Sequence, residues 1–180
     1  MPVIFTSFRI AQVLGLGGAT WLSGNIASLS IFSAPALERS LKQDLVSPTA
    51  VARQWKHTLE GGKANPPAAA AISAALAFCA WSVRVEVPMN YLFPKAGFGL
   101  FGVASFLAFS IIPFTVFTIL PINRRIVELA DQPFDPKAGT NSALDKAELG
   151  SLLRRWGTLN WIRSMLLLSG SVAALMAGLV

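Results

Sequence analysis

The chain has 180 residues, 53% of them hydrophobic and only 13% charged, with a formal net charge of +6. Soluble domains carry about 25% charged residues, and a chain this short cannot hide so much apolar surface in a water-soluble core. The composition therefore excludes an ordinary soluble enzyme and points to lipid as the solvent. One Cys and one His exclude an internal disulfide, a paired-thiol relay and a multi-His or multi-Cys metal centre within one chain, while a carboxylate-rich site stays open.

Four windows lack Asp, Glu, Lys and Arg: Ile10–Leu37, Ala64–Val83, Ala96–Asn123 and Ser164–Val180. A spanning helix needs about 20 largely apolar residues. The runs are continuous and do not alternate, which favours helices over a barrel. The expected fold is an all-α integral membrane four-helix bundle, with amphipathic surface helices in the first long connection. It forms one transmembrane domain over residues 1–180, with spans at approximately 10–34, 66–84, 97–120 and 161–180.

The first window is too long for the apolar stretch of a signal peptide, despite the small residues Ala34-Pro35-Ala36 after it, and reads as a retained helix. Gly17, Trp21, Asn25 and Ser28 recur at helical spacing and share one face. Trp21 and Asn25 fall near the middle of the window, where a polar group either packs helices or lines a pocket.

Between the first two spans, Leu37, Leu41 and Leu45 precede Pro48, and Val51, Trp55 and Leu59 follow it. Both sets fit short amphipathic helices lying on the membrane surface. His57 shares a face with Arg53 and Glu60, opposite Trp55. That is either a solvated face or the place of the only side chain that titrates unaided near neutral pH. Gly61-Gly62 and Pro66-Pro67 break the chain and restart it for the second span.

Segment 84–96 is short, with Pro88, Tyr91 and Pro94. The third span carries Phe98, Phe101, Phe106, Phe109, Phe114 and Phe117, which face lipid or pack the core. Pro113 should bend it, with Thr115 or Thr118 satisfying freed carbonyls. Residues 130–141 are polar and turn-rich, and Ser142 with Asp145 suggests a helix cap. From there a helix runs through Trp156 into the last span, placing Trp156, Asn160 and Arg163 on one face. Arg163, at the edge of the span, either snorkels to the surface or meets an anionic group.

The connections 38–63 and 124–163 hold 12 of the 15 basic residues, and only Arg9, Arg84 and Lys95 lie on the other side. The positive-inside rule then turns both termini away from the cytoplasm. The basic charge is a topology signal, and no nucleic-acid partner is expected.

Several separated pieces carry a resemblance: Ser28-Leu29-Ser30 with Pro35-Ala36-Leu37; Gln54-Trp55 with Gly62-Lys63 and Pro66-Pro67; Pro113-Phe114-Thr115 with Pro121-Ile122-Asn123; and Trp156-x3-Asn160-x2-Arg163. In this order, over most of the chain, they resemble the anthrone oxygenase family, small four-helix membrane proteins of aromatic polyketide pathways. The resemblance implies conversion of a tricyclic anthrone to an anthraquinone with dioxygen as co-substrate and no bound redox cofactor, although a haem or metal ion shared between chains stays open. It implies a small aromatic polyketide as substrate, membrane lipid as surroundings, an endomembrane such as the endoplasmic reticulum as location, and compatibility with a homo-oligomer. Arg163, Asn123 and Asn160 would stabilise the enolate oxygen, and His57 would be the base. Trp21 and Trp156 would stack on the flat substrate, with Asn25 and Arg124 beside it. A non-catalytic membrane scaffold or partner subunit is the competing function.

Overall fold

The computed structural model describes residues 2–43, 46–85, 95–132 and 139–179. Among them every regular element is helical: α1 (Pro2–Ser28), α2 (Ala34–Lys42), α3 (Pro48–Gly61), α4 (Asn65–Val85), α5 (Lys95–Phe114), α6 (Leu120–Ala130) and α7 (Gly139–Leu179). The chain is an all-α, integral membrane four-helix bundle. Three helical stretches, Pro48–Val85, Gly97–Ala130 and Asp145–Leu179, are long and apolar enough to cross a membrane. The first helix is not among them. It is free of charge from Ile10 onward, but Gln12, Thr20, Asn25 and the glycines between them lower its mean hydropathy.

Prolines shape these helices without breaking them. Leu29–Ser33 and Thr115–Ile119 are π turns, closed by Ala34 N–H on the Leu29 carbonyl and Leu120 N–H on the Thr115 carbonyl. Pro35 and Pro121 follow immediately. A proline offers no N–H, and its ring collides with the carbonyl four residues back. Widening the preceding turn makes room, so α1 runs on into α2 and α5 into α6. Thr118 Oγ1 donates to the Phe114 carbonyl at 2.5 Å.

Local signals also set the starts. Ser47 caps α3 by accepting from Ala50 N–H at 3.3 Å, ahead of Pro48. Pro66 and Pro67 open α4, where missing donors cost nothing. α7 begins at Gly139, so Ser142, expected as its cap, already lies inside the helix. Leu45, the connection with Pro88, Tyr91 and Pro94, and the turn residues Pro133 and Pro136 lie outside the described residues.

Contacts divide the chain into two units. The first comprises Met1–Asn25, Asn65–Pro113 and Arg163–Val180. Its helices close a ring. Gly15 and Gly18 of α1 face Leu76 and Ile72 of α4. Ser73 and Ser105 exchange hydroxyl-to-carbonyl bonds of 3.0 and 2.9 Å between α4 and α5. Gly170 of α7 faces the Ala104 carbonyl of α5. Ser23 and Ser164 exchange two bonds of 2.9 Å between α1 and α7. Phe8 and Phe101 meet edge to face across the middle, with centroids 5.9 Å apart. Close approach of small residues and serine bonds is how helices associate where lipid removes the hydrophobic drive. The outer surface carries Val13, Leu14, Phe109, Val172 and Phe106, the last 69% exposed. A water-soluble protein does not display such a continuous apolar coat.

The second unit comprises Ile26–Ala64 and Phe114–Ile162. Its core joins Ala34 and Leu41, Val51 and Trp55 of α3, Ile122 and Ile126 of α6, and Leu153 and Trp156 of α7. Arg53 Nε donates to the Ala130 carbonyl at 3.1 Å, and Lys56 pairs with Asp131 at 2.7 Å, fixing α3 on α6. Arg125 bridges Glu148 of α7 at 2.6 Å and Glu128 at 2.9 Å. The amphipathic α3 is present, but its apolar stripe is buried by protein. Trp55 has no exposed surface, and only the opposite, charged face is open.

Candidate active site

Helix α3 and the first half of α7 bring two indoles together in the second unit. Trp55 and Trp156 pack edge to face, with centroids 5.6 Å apart and planes 78° from each other. Both are buried. Edge-to-face geometry leaves each ring one face for other contacts and satisfies the ring quadrupoles.

Polar groups interrupt this apolar interior. Asn160, one turn beyond Trp156, is buried and donates Nδ2–H to the Trp156 carbonyl at 2.9 Å, which fixes its amide. Asn123 of α6 is buried four residues after the π turn that precedes Pro121. Its Oδ1 has no hydrogen-bond partner among the described residues, and neither has Trp55 Nε1. Leaving a buried donor or acceptor unpaired costs about 1–3 kcal/mol. Here the two orphans are complementary, one N–H donor and one carbonyl acceptor, in one core. A flat ligand bearing a carbonyl and a hydroxyl could satisfy both.

The other residues singled out in the sequence are placed differently. Trp21 is 64% exposed in the first unit, and Gly17 and Asn25 on its face are exposed with it. Arg124 is exposed beside Asn123. The His57 side chain is 81% exposed, with Nδ1 3.5 Å from Glu60. Arg163 belongs to the first unit, is 5% exposed and precedes the Ser164 that bonds Ser23. The structure thus brings Asn123, Trp156 and Asn160 into one unit and leaves His57 and Arg124 on its surface. Trp55 was not singled out as a site residue in the sequence. Its signal was there, an indole centred in the stripe Val51-Trp55-Leu59, but the same stripe fits a lipid-facing helix. Among the described residues, no three His, Cys, Asp or Glu side chains converge as metal ligands.

Comparison with known proteins adds two findings. The family profile described as anthrone oxygenase matches residues 55–173. Anthrone oxygenase encC of Aspergillus fumigatus is 29% identical over 177 residues, covering 94% of this chain and 93% of that protein. No solved structure matches. Trp55, Asn123, Trp156 and Asn160 all lie within the matched stretch.

Proposed function

Because the chain belongs to the anthrone oxygenase family, with its match over residues 55–173, we infer that it oxidises a tricyclic anthrone to the anthraquinone with dioxygen, acting as a monooxygenase without a bound redox cofactor. The observation that carries the site is the pair of buried, complementary atoms Trp55 Nε1 and Asn123 Oδ1, without partners among the described residues.

An anthrone has a methylene opposite its carbonyl, and losing one of its protons gives a delocalised, electron-rich enolate. In this site Trp55 Nε1–H donates to the carbonyl oxygen, where charge develops as the proton leaves. Asn123 Oδ1 accepts from the enol or a neighbouring phenol. A donor already in place and shielded from water stabilises developing charge without reorganising. Trp156 offers a ring face, and Asn160, held by the Trp156 carbonyl, keeps that turn of α7 rigid. The enolate passes one electron to dioxygen, the resulting carbon radical and superoxide combine into a carbon-bound peroxide anion, and the proton released from the methylene to water at the start returns to it to give the hydroperoxide. Loss of water from it leaves the second carbonyl. One oxygen atom of dioxygen enters the quinone and the other leaves as water, so the methylene is oxidised by four electrons and no reductant is consumed. An apolar substrate supplied from the bilayer accounts for an enzyme built into it.

The test is oxidation of 1,8-dihydroxyanthrone by the purified full-length protein under air, against a protein-free blank, with 18O-labelled dioxygen. Acceleration with one labelled oxygen in the quinone is expected. No acceleration over the blank overturns this function. Trp55→Phe keeps an aromatic ring but removes the N–H and some buried volume; it should lower kcat about 100-fold, measured on protein whose helical circular dichroism shows it folded, while the lost volume lowers the melting temperature. Unchanged turnover in that variant overturns the site.

A further inference from the structure

Leu153 borders two environments in the second unit. It belongs to the buried core that holds Trp55 and Trp156. It also lines a groove of about 530 Å³ between the α1–α2 segment and α7. On α7 it lies three residues before Trp156 and four before Gly157, so around the helix it sits between them. Trp156 is in the core and Gly157 lines the groove. One aliphatic side chain thus stands between a molecule in the groove and Trp156, whose ring meets Trp55 at 5.6 Å.

The lining defines what fits. Ile31, Ala34 and Pro35 form one wall, and Gly157, Thr158 and Trp161 the other. Small-molecule clefts run to about 300–1,000 Å³ and are mostly apolar with a few polar groups, and this groove has that size and character. Gly157 lets α7 approach Ala34, whose Cβ would stand 3.1 Å from a Cβ added there, so the two walls come together at that point. Trp161 is 43% exposed and offers an indole to a flat ring.

The polar groups of the lining favour a neutral ligand. Glu38 and Arg154 share one end of the groove. Glu38 Oε1 takes Lys42 Nζ at 2.8 Å and Arg154 Nε at 3.5 Å. Both cations are therefore engaged, and this end presents an edge of paired donors and acceptor that suits hydroxyl and carbonyl groups better than a free ion. Ser30 borders the groove from the π turn, and its Oγ is buried without a partner among the described residues. Hydroxyls on an apolar tricycle complement such a lining, whereas an acyl chain would answer none of its polar groups.

We propose that a neutral, hydroxylated tricyclic anthrone docks in this groove on its way from the bilayer to the indole pair. Its rings lie along Ile31 and Trp161, its phenolic edge meets Glu38 and Arg154, and Leu153 swings aside to admit it. This entry role rests on the anthrone-oxidising function inferred above, and it adds the route to that site and the substrate class that can take it.

The experiment uses Thr158→Cys, whose thiol stands at an exposed position of the groove wall. Thr158 Oγ1 bonds only within α7, to the Arg154 carbonyl at 3.1 Å, so the helix tolerates the change. The native Cys79 is buried and adds no background. Arg155→Cys, on an exposed position outside the groove, is the control. In the detergent-solubilised full chain, 1,8-dihydroxyanthraquinone at ten times its Kd should slow labelling by fluorescein maleimide about tenfold at position 158 and leave position 155 unaffected. Once labelled at 158, the protein should lose most of its kcat/KM for 1,8-dihydroxyanthrone relative to the same variant unlabelled, and labelling at 155 should not change it. Unprotected labelling at 158, equal protection at both positions, or equal protection by dioleoylphosphatidylcholine would each overturn the docking site. Slower labelling as protein concentration rises, without quinone, would assign the groove to a second copy and overturn it too. Protection at 158 in a chain that oxidises no anthrone would remove the entry role together with the function. Turnover without protection would remove the groove alone.

Discussion

His57 is the only imidazole in the chain, yet its surroundings limit what it can do. A base that takes a carbon-bound proton must reach the substrate and work out of water. The His57 side chain is 81% exposed and leans toward Glu60. His57→Gln should therefore keep kcat within about threefold, whereas loss of a general base costs about 100-fold or more. Steady-state oxidation of 1,8-dihydroxyanthrone separates the two. Asn123→Leu, by contrast, removes a buried acceptor while keeping the volume, and should depress turnover without lowering the melting temperature, since its Oδ1 bonds nothing among the described residues. At this scale the sequence was informative where a polar residue interrupts an apolar run. Asn123, Asn160 and Trp156 stood out because such residues are costly in a membrane helix. Trp55 did not, because an apolar stripe reads the same whether lipid or protein covers it. Only the approach of α3 to α7 distinguishes them.

The helices themselves were legible from charge alone, and their junctions were not. Charge-free windows located α1, α4, α5 and the second half of α7, because a membrane helix must satisfy its backbone internally and exclude charge from lipid. Pro35 and Pro121 fall just past the expected span ends near 34 and 120, and each is absorbed by a π turn, so the helices run on beyond those ends. Glycine roles likewise depend on the neighbour. Gly17 and Gly170 look alike in sequence, but a Cβ at Gly17 would meet nothing within 4 Å, and one at Gly170 would stand 3.3 Å from the Ala104 carbonyl. Gly170→Val should destabilise the protein by about 1–3 kcal/mol and Gly17→Val by much less, as read from thermal unfolding in detergent. Between α6 and α7, Arg125 holds the Glu148 carboxyl below the ordinary glutamate range, chiefly through their direct hydrogen bond. A depressed folded-state pKa means that the pair contributes fully above the unfolded value of about 4.3. The contribution fades as pH falls through the lower folded value. Glu148→Gln should flatten the acid side of the stability profile and leave neutral pH nearly unchanged, since the pair is exposed.

For the molecule as a whole, the distribution of charge gives an expected orientation, and the chain carries its own means of testing it. Residues 38–63 and 124–163 hold 12 of the 15 basic residues, and basic connections stay on the cytoplasmic side. Four spans, as the charge-free windows suggest, would then put both termini on the other face, which is an expectation to be tested. The one native thiol, Cys79, is buried among helices of the first unit, so an impermeant maleimide has no background target. Lys63, in the turn just before α4, and Arg84, in its last turn, are both exposed. In sealed vesicles with the cytoplasmic face outward, Lys63→Cys should label at once and Arg84→Cys only after the membrane is opened. The reverse pattern would invert the orientation, and labelling of both in sealed vesicles would mean that α4 does not cross. The same pair also bears on how substrate arrives. If Lys63 faces the cytoplasm, so does the end of α3 that follows Trp55, and an anthrone made in the cytoplasm can partition into the leaflet nearest the indole pair without crossing the bilayer.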